Sequence, residues 1–384
     1  MTPPSDVVVV GGGAIGCAIA RELAGRGLAV TLLERGEPGG EASWAAAGLL
    51  SPQSDAREPG PFFDLCLESR SLYPEWSREL EEETEIAVGY RAIGILRCAM
   101  SEAERESLRT RTLWQRKAGL PLEERTTREL SSWLPGLLSP RVAGGVLFPE
   151  DGVVDSRMLT RSLAVSAARR GVRLLPGMEA RGCLVERGVC RGVATATEAF
   201  PADRVVDATG AWAAFDPAWR AAAPVTPVRG QIVRLWPEGR PLPAVVEAED
   251  VYLVPRRDGK VLAGATSERV GFRKAVTAEA VRSLTEAAIR LVPSLSEARF
   301  TAAWSGLRPG TPDGRPILGE APGLPGLVFA AGHYRNGILL APVTARLVAD
   351  CVMETGRRDL SPFSPDRFAA SPPESAGRRP GQFG

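Results

Sequence analysis

"VVVVGGGAIGCAIARELAGRGLAVTLLERG" (residues 7–36) opens the chain. Val7 to Val10 are continuously β-branched and stop at glycine, the pattern of a strand buried on both faces. Ile15, Ile19 and Leu23 then recur at four-residue intervals, one face of a helix. "GRGLAV" closes that helix, and Ala29 to Leu33 read as a second strand, completing a βαβ unit. Gly11, Gly13 and Gly16 fit GxGxxG at the strand-to-helix junction. Gly11 makes the tight turn, Gly13 (with Ala14 and Ile15 after it) lets backbone approach a pyrophosphate, and Gly16 lets helix and strand pack closely. The helix N-terminus faces that phosphate with roughly half a positive charge. Glu34 ends the second strand, where its carboxylate can accept hydrogen bonds from both ribose hydroxyls. That disfavours a 2′-phosphate despite Arg35 beside it, and leaves NAD or FAD as the dinucleotide.

"GGEASWAAAGLLSP" (residues 39–52) is a run of small residues just beyond the second strand. Ala46, Ala47 and Gly48 would let a long cofactor lie against backbone, and Ser43 could donate to its phosphate or ribityl oxygens. An ordinary flexible loop reads the same way on residue type alone. No second GxGxxG exists for a nicotinamide partner, which argues against a two-nucleotide reductase.

The chain has 384 residues, room for two domains, and 47 basic side chains stand against 46 acidic ones. This balance gives no reason to expect nucleic acid or an anionic membrane as a partner. Six cysteines (Cys17, Cys66, Cys98, Cys183, Cys190 and Cys351) contain no CxxC pair, and His333 is the sole histidine. A zinc site needs about four closely spaced N or S ligands, so no metal is expected. Scattered free thiols fit a reducing cytoplasm. The stretch after Asp6 lacks the basic flank of a signal peptide, and no run reaches the ~18 apolar residues of a membrane helix.

Residues 64–85 and 101–118 read as exposed helices of mixed charge. Helical pattern returns at 155–170 and 277–291, while "YRAIGILRCA" (90–99) and residues 225–265 read as strands. "DRVVDATGAW" (203–212) is a strand ending on glycine, Gly210, and a last strand and helix follow Leu324. The expected fold is α/β. A Rossmann-like nucleotide domain in discontinuous segments (1–88, 152–222 and 318–366) carries an inserted, mainly antiparallel β-sheet substrate domain (89–151 and 223–317). Residues 367–384 are expected to form a tail too poor in apolar side chains to pack.

The opening stretch, "EASWAAAGLLSPQ", "YLVPRRDGKVLAGAT", "WSGLRPGTPDGRPILG" and "FAAGHYRNGILLAP" together resemble the glycine oxidase branch of the D-amino acid oxidase family of flavoproteins. They span residues 7 to about 355, and the last two motifs are the most specific. The resemblance implies noncovalently bound FAD, oxygen as electron acceptor and small amino acids or amines as substrates. It also implies supply of glycine-derived imine for the thiazole ring of thiamine, and it allows a homotetramer.

The same resemblance assigns Arg308, in "SGLRPGT", to the substrate carboxylate, with Tyr252 assisting and Arg335 as a second pocket arginine. A guanidinium suits a carboxylate because it offers two parallel hydrogen bonds. The plainer alternatives are an internal Arg308–Asp313 pair and a Tyr252 that merely fills the core. "GHYRNGI" begins a helix, placing His333, Arg335, Asn336, Gly337 and Ile338 beside the flavin, where helix amides favour negative charge. Hydride transfer from a neutral amine needs no dedicated base, so a histidine without an evident acidic or hydroxyl partner is expected to be structural. Asp250 and Ser267 depart from the family pattern, with an expected effect on pocket size or polarity. A flavin dehydrogenase with a non-oxygen acceptor and a flavin-binding protein without turnover are the rival readings.

Overall fold

The computed structural model describes residues 5–356 and 358–369. Strand β1 (Ser5–Val10), helix α1 (Ala14–Gly25) and strand β2 (Val30–Glu34) form the βαβ unit the sequence announces. β1 pairs in parallel with β2 on one side and with Ala199–Asp207 on the other. The sheet runs Ile317–Glu320, Leu327–Ala331, Ala199–Asp207, β1, β2, Arg173–Pro176, parallel except at its first pair.

Side chains alternate across each strand, and two apolar layers result. Val7 and Val9 face a helical layer made by α1, Pro61–Thr84, Ser156–Arg169 and Gly337–Val352. Val8 and Val10 face the opposite layer with Phe200, Phe329 and the hairpin residues Cys190 and Val193. The continuous valine run exists because both faces are buried.

The second sheet runs Arg299–Gly310, Thr226–Trp236, Val261–Gly264, Tyr252–Pro255, Val245–Glu247, Ile95–Ala99, Gly144–Phe148, Glu123–Thr126. All its neighbours are antiparallel except Val245–Glu247 with Ile95–Ala99. Val233, Leu253 and Ala263 face Ala278–Leu291, whereas Ile232, Val254 and Leu262 face Ala45 and Ala47 of the small-residue run. That second contact joins the two sheets and places the functional cavity between them.

Two expectations need correction. Residues 61–84 form a helix rich in charge, yet Leu65, Tyr73, Trp76 and Leu80 give it a buried stripe, so it is no exposed helix. The strand expected over 90–99 covers only Ile95–Ala99, because Gly94 has φ +75° and turns the chain before it. Of the expected tail, Arg367 lies in the turn Asp366–Ala369 and pairs with Asp313 at 2.8 Å. Residues 370–384 lie outside the described residues. Among the described residues, no helix is long and apolar enough to cross a membrane.

Candidate active site

A cavity of about 590 Å³ begins at the C-terminal ends of β1 and β2 and extends to the second sheet, within the ~300–1,000 Å³ usual for ligand pockets. At its first end Gly11 has φ +104°, and a Cβ there would lie 2.5 Å from Ala208 O. A Cβ at Gly16 would collide with Gly11 O, so Gly16 packs the helix and does not line the cavity. Gly13 is the N-cap of α1 without any side-chain cap, and Gly13, Ala14 and Ile15 line the cavity. The Ala14 N–H donates to Ser43 Oγ at 2.9 Å. Ser43 therefore caps α1 from a distant segment, and its own hydroxyl proton stays free to donate to a phosphate.

Glu34 Oε2 accepts from Gly12 N at 2.7 Å and Oε1 accepts from Gly36 N at 2.8 Å. Two amides thus orient a carboxylate that lines the cavity, with lone pairs left for ribose hydroxyls. Arg35 donates to Glu41 Oε1 at 2.8 Å and lies 3.6 Å over the Trp212 ring. It is already partnered, which removes the cation a 2′-phosphate would need. Cys17, buried behind the loop, has its thiol pushed up to about 12 by burial and is inert.

Ala46, Ala47 and Gly48 line the cavity, as does Gly210 with φ +61°. Their smallness also serves packing. A Cβ on Gly306 would lie 2.5 Å from Ala45 Cβ, and Trp304 Nε1 donates to Ala45 O at 3.0 Å. The segment is thus a packed seam that also presents backbone to the cavity, not a flexible loop.

The other end of the cavity is built on the second sheet. Arg308 stands opposite Val228, and its guanidinium crosses to lie over Gly230, where any Cβ would collide with it. Tyr252 stands opposite Gly264, and a Cβ at 264 would lie 2.6 Å from its hydroxyl. Two strand glycines clear the sheet face for two polar side chains, the kind of role a glycine inside a strand signals. Arg308 Nη1 donates to Thr266 O at 2.9 Å. Asp313 is taken by Arg367, and among the described residues Arg308 forms no ion pair. Burial holds the Tyr252 phenol above its ordinary value, against the pull of Arg308 and Arg335, so it remains a neutral donor.

Arg335 lines the cavity and faces Asp55, Nη2 to Oδ1 3.5 Å. That neighbour raises the arginine above its ordinary value. His333 is buried, its Nε2 lies 3.1 Å from Thr344 Oγ1, and burial pushes it down to about 3. It carries no charge near neutrality and has a hydroxyl partner that the sequence did not reveal. Gly337 and Ile338 line the cavity at the N-terminus of Gly337–Val352, whereas Asn336 does not. The Asn336 N–H is directed to His333 O at 2.9 Å and its carbonyl accepts from Leu340 N at 2.8 Å, so its backbone closes the turn.

Asp250 overturns the expectation placed on it. It pairs with Arg290 on the outer face and does not line the cavity. Ser267 does not line the cavity either, but its hydroxyl lies 3.4 Å from that of Tyr334, which does. Tyr334, at φ +48°, is fixed by its N–H to Pro309 O at 2.9 Å and lines the cavity with Ser51 and Asp55. Sequence reasoning missed all three. "SPQSD" directly after the small-residue run was the available signal for the last two.

Residues 6–351 match the family described as FAD dependent oxidoreductase. The chain belongs to that family. FAD is its cofactor, and the glycine-lined α1 N-terminus, the oriented Glu34 and the free Ser43 proton fit such a dinucleotide. Glycine oxidase from Geobacillus kaustophilus is 41% identical over 95% of this chain and 97% of its own. Its crystal structure aligns with a TM-score of 0.89 over 94% of this chain and 98% of that one, at 40% identity. The bifunctional protein ThiO/ThiG of Synechocystis is 40% identical over 96% of this chain but 55% of its own length. This member of the family thus spans about half the length of the curated ThiO/ThiG relatives it matches.

Proposed function

We propose that this oxidoreductase oxidises glycine and similar small amines, such as sarcosine and small D-amino acids, to the imine, reducing oxygen to hydrogen peroxide. Unless captured, the imine hydrolyses to a 2-oxo acid and ammonia. By likeness to the ThiO/ThiG and glycine oxidase relatives, glycine imine is the product delivered to thiazole formation in thiamine biosynthesis. The observation that carries the reading is Arg308: a guanidinium with no acidic partner among the described residues, laid over Gly230 inside the cavity that begins at the dinucleotide loop.

Bound FAD supplies a two-electron acceptor for the α-hydrogen as hydride. The chain supplies placement. Arg308 would take the substrate carboxylate with two parallel hydrogen bonds, Tyr252 would donate a third, and Arg335 would add a second cation at the rim. Fixing the carboxylate at one end leaves the α-carbon a single direction to face, which is how binding lowers the barrier. Gly337 and Ile338 would present helix amides where negative charge develops. His333 would hold the turn and move no proton.

In this reading residues 1–88, 152–222 and 318–366 bind FAD, and 89–151 with 223–317 bind substrate. Six free cysteines support a cytoplasmic location, and the family resemblance allows a homotetramer. A peroxide-coupled screen of glycine, sarcosine, N-ethylglycine, D-alanine and D-proline tests the proposal. Peroxide formed in step with glycine or sarcosine consumption supports it. Flavin reduced by these amines without peroxide in air points instead to a dehydrogenase.

A further inference from the structure

Arg335 and Asp55 face each other at 3.5 Å, longer than the ~2.7–2.9 Å of a charge-assisted hydrogen bond. Both keep water contact, with side chains 52% and 29% exposed. The pair is loose, and a charged ligand can part it at small cost.

Asp55 itself is firmly mounted. It ends the helical turn Pro52–Asp55, whose amides are gripped from behind. Asp151, fully buried, accepts from Ser54 N at 2.9 Å and Gln53 N at 3.4 Å, and Arg70 pairs with Asp151 at 2.8 Å. Arg111 donates to Ser54 O at 2.6 Å and Ala56 O at 3.0 Å. On the cavity side, among the described residues, the Asp55 carboxylate meets only the Ser51 hydroxyl, at 3.3 Å, and Arg335. Glu247, the other acid near this end, is buried and held by Arg97 at 2.9 Å.

The substrate end therefore holds two cations, Arg308 and Arg335, and one available anion, Asp55. An amino-acid zwitterion carries one carboxylate and one ammonium, the complementary set. We propose that Asp55 recognises the substrate's ammonium, exchanging Arg335 for it on binding, accepts one N–H proton so that the neutral amine reacts, and leaves Arg335 to join Arg308 on the carboxylate. The inference rests on the functional reading above and sharpens it. The pocket selects zwitterionic amino acids over 2-hydroxy acids of the same shape, because a hydroxyl leaves Asp55 without a cation once Arg335 has turned to the carboxylate.

The test compares glycine with glycolate on FAD-loaded wild type, Asp55→Asn and Asp55→Glu. Glycine affinity is read from anaerobic flavin reduction against concentration, and glycolate affinity from the flavin absorbance change on binding. Asp55→Asn should weaken glycine by about tenfold or more, as expected for a lost charge pair, and leave glycolate binding equal or tighter. Asp55→Glu should recover glycine. Parallel loss of both ligands, or unchanged glycine affinity, overturns the proposal. Should Asp55→Asn not retain FAD, Asp55→Ser serves in its place under the same criteria. A wild-type flavin that no small amine reduces defeats the functional reading, and this inference with it. Reduction by glycine with an unaltered glycine-to-glycolate ratio in Asp55→Asn defeats the inference alone.

Discussion

The guanidinium of Arg308 occupies the space in which a side chain at Gly230 would begin, one strand away across the sheet. The arginine's position is therefore written into two residues. A methyl group at 230 would meet the carbon and both terminal nitrogens of the guanidinium, which sit at the far end of a flexible side chain. Gly230→Ala should fold at a stability cost of about 1–3 kcal/mol for overpacking, keep FAD, displace Arg308 and weaken substrate binding. Steady-state KM for glycine beside FAD content measures this, and an unchanged KM would argue against the placement.

Glu34 spans the loop and the cofactor. Two backbone amides orient it at 2.7 and 2.8 Å, and hydrogen bonds to a charged group are worth about 1.5–3 kcal/mol. Glu34→Ala should weaken FAD binding to apoprotein by roughly that amount, read by flavin fluorescence titration. The substrate preference of protein saturated with FAD should not change.

His333 is buried, neutral and bonded to Thr344, and burial pushes it down to about 3 from an ordinary 6.5. His333→Asn should keep most of the anaerobic flavin-reduction rate. A fall of several orders of magnitude would make the ring a catalytic residue. The depressed value also fixes a sign: between pH 6.5 and 3 the unfolded chain binds a proton that the folded one refuses. The stability this group contributes is complete above pH 6.5 and is lost as pH falls, by up to about 1.4 kcal/mol per pH unit. His333→Asn should flatten that acid slope in denaturant melts from pH 7 to pH 5.

The dinucleotide half was legible because its signals are local. A valine run, GxGxxG and a strand-ending acid each fix structure within a few residues. The helix 61–84 misled because charge count hides a stripe, and Tyr73 on that stripe donates to Ile338 O at the mouth of the last helix. At the substrate end the resemblance named Arg308, Tyr252 and Arg335, but not their support. Gly230 and Gly264 are placed by the second sheet's register, while Asp55 comes from the turn Pro52–Asp55 and Tyr334 follows the strand Leu327–Ala331 of the first sheet. Asp250 shows the reverse error: it is two residues from Tyr252, yet the bend between strands turns it outward to Arg290.

The central claim is that Arg308 holds the substrate by its carboxylate. The direct measurement is the apparent dissociation constant of glycine, from anaerobic flavin reduction, in Arg308→Ala with FAD retained. The account predicts a loss of about 2–5 kcal/mol, the range for removing one member of a buried charge pair. Glycine bound by the variant as tightly as by the wild type would contradict it.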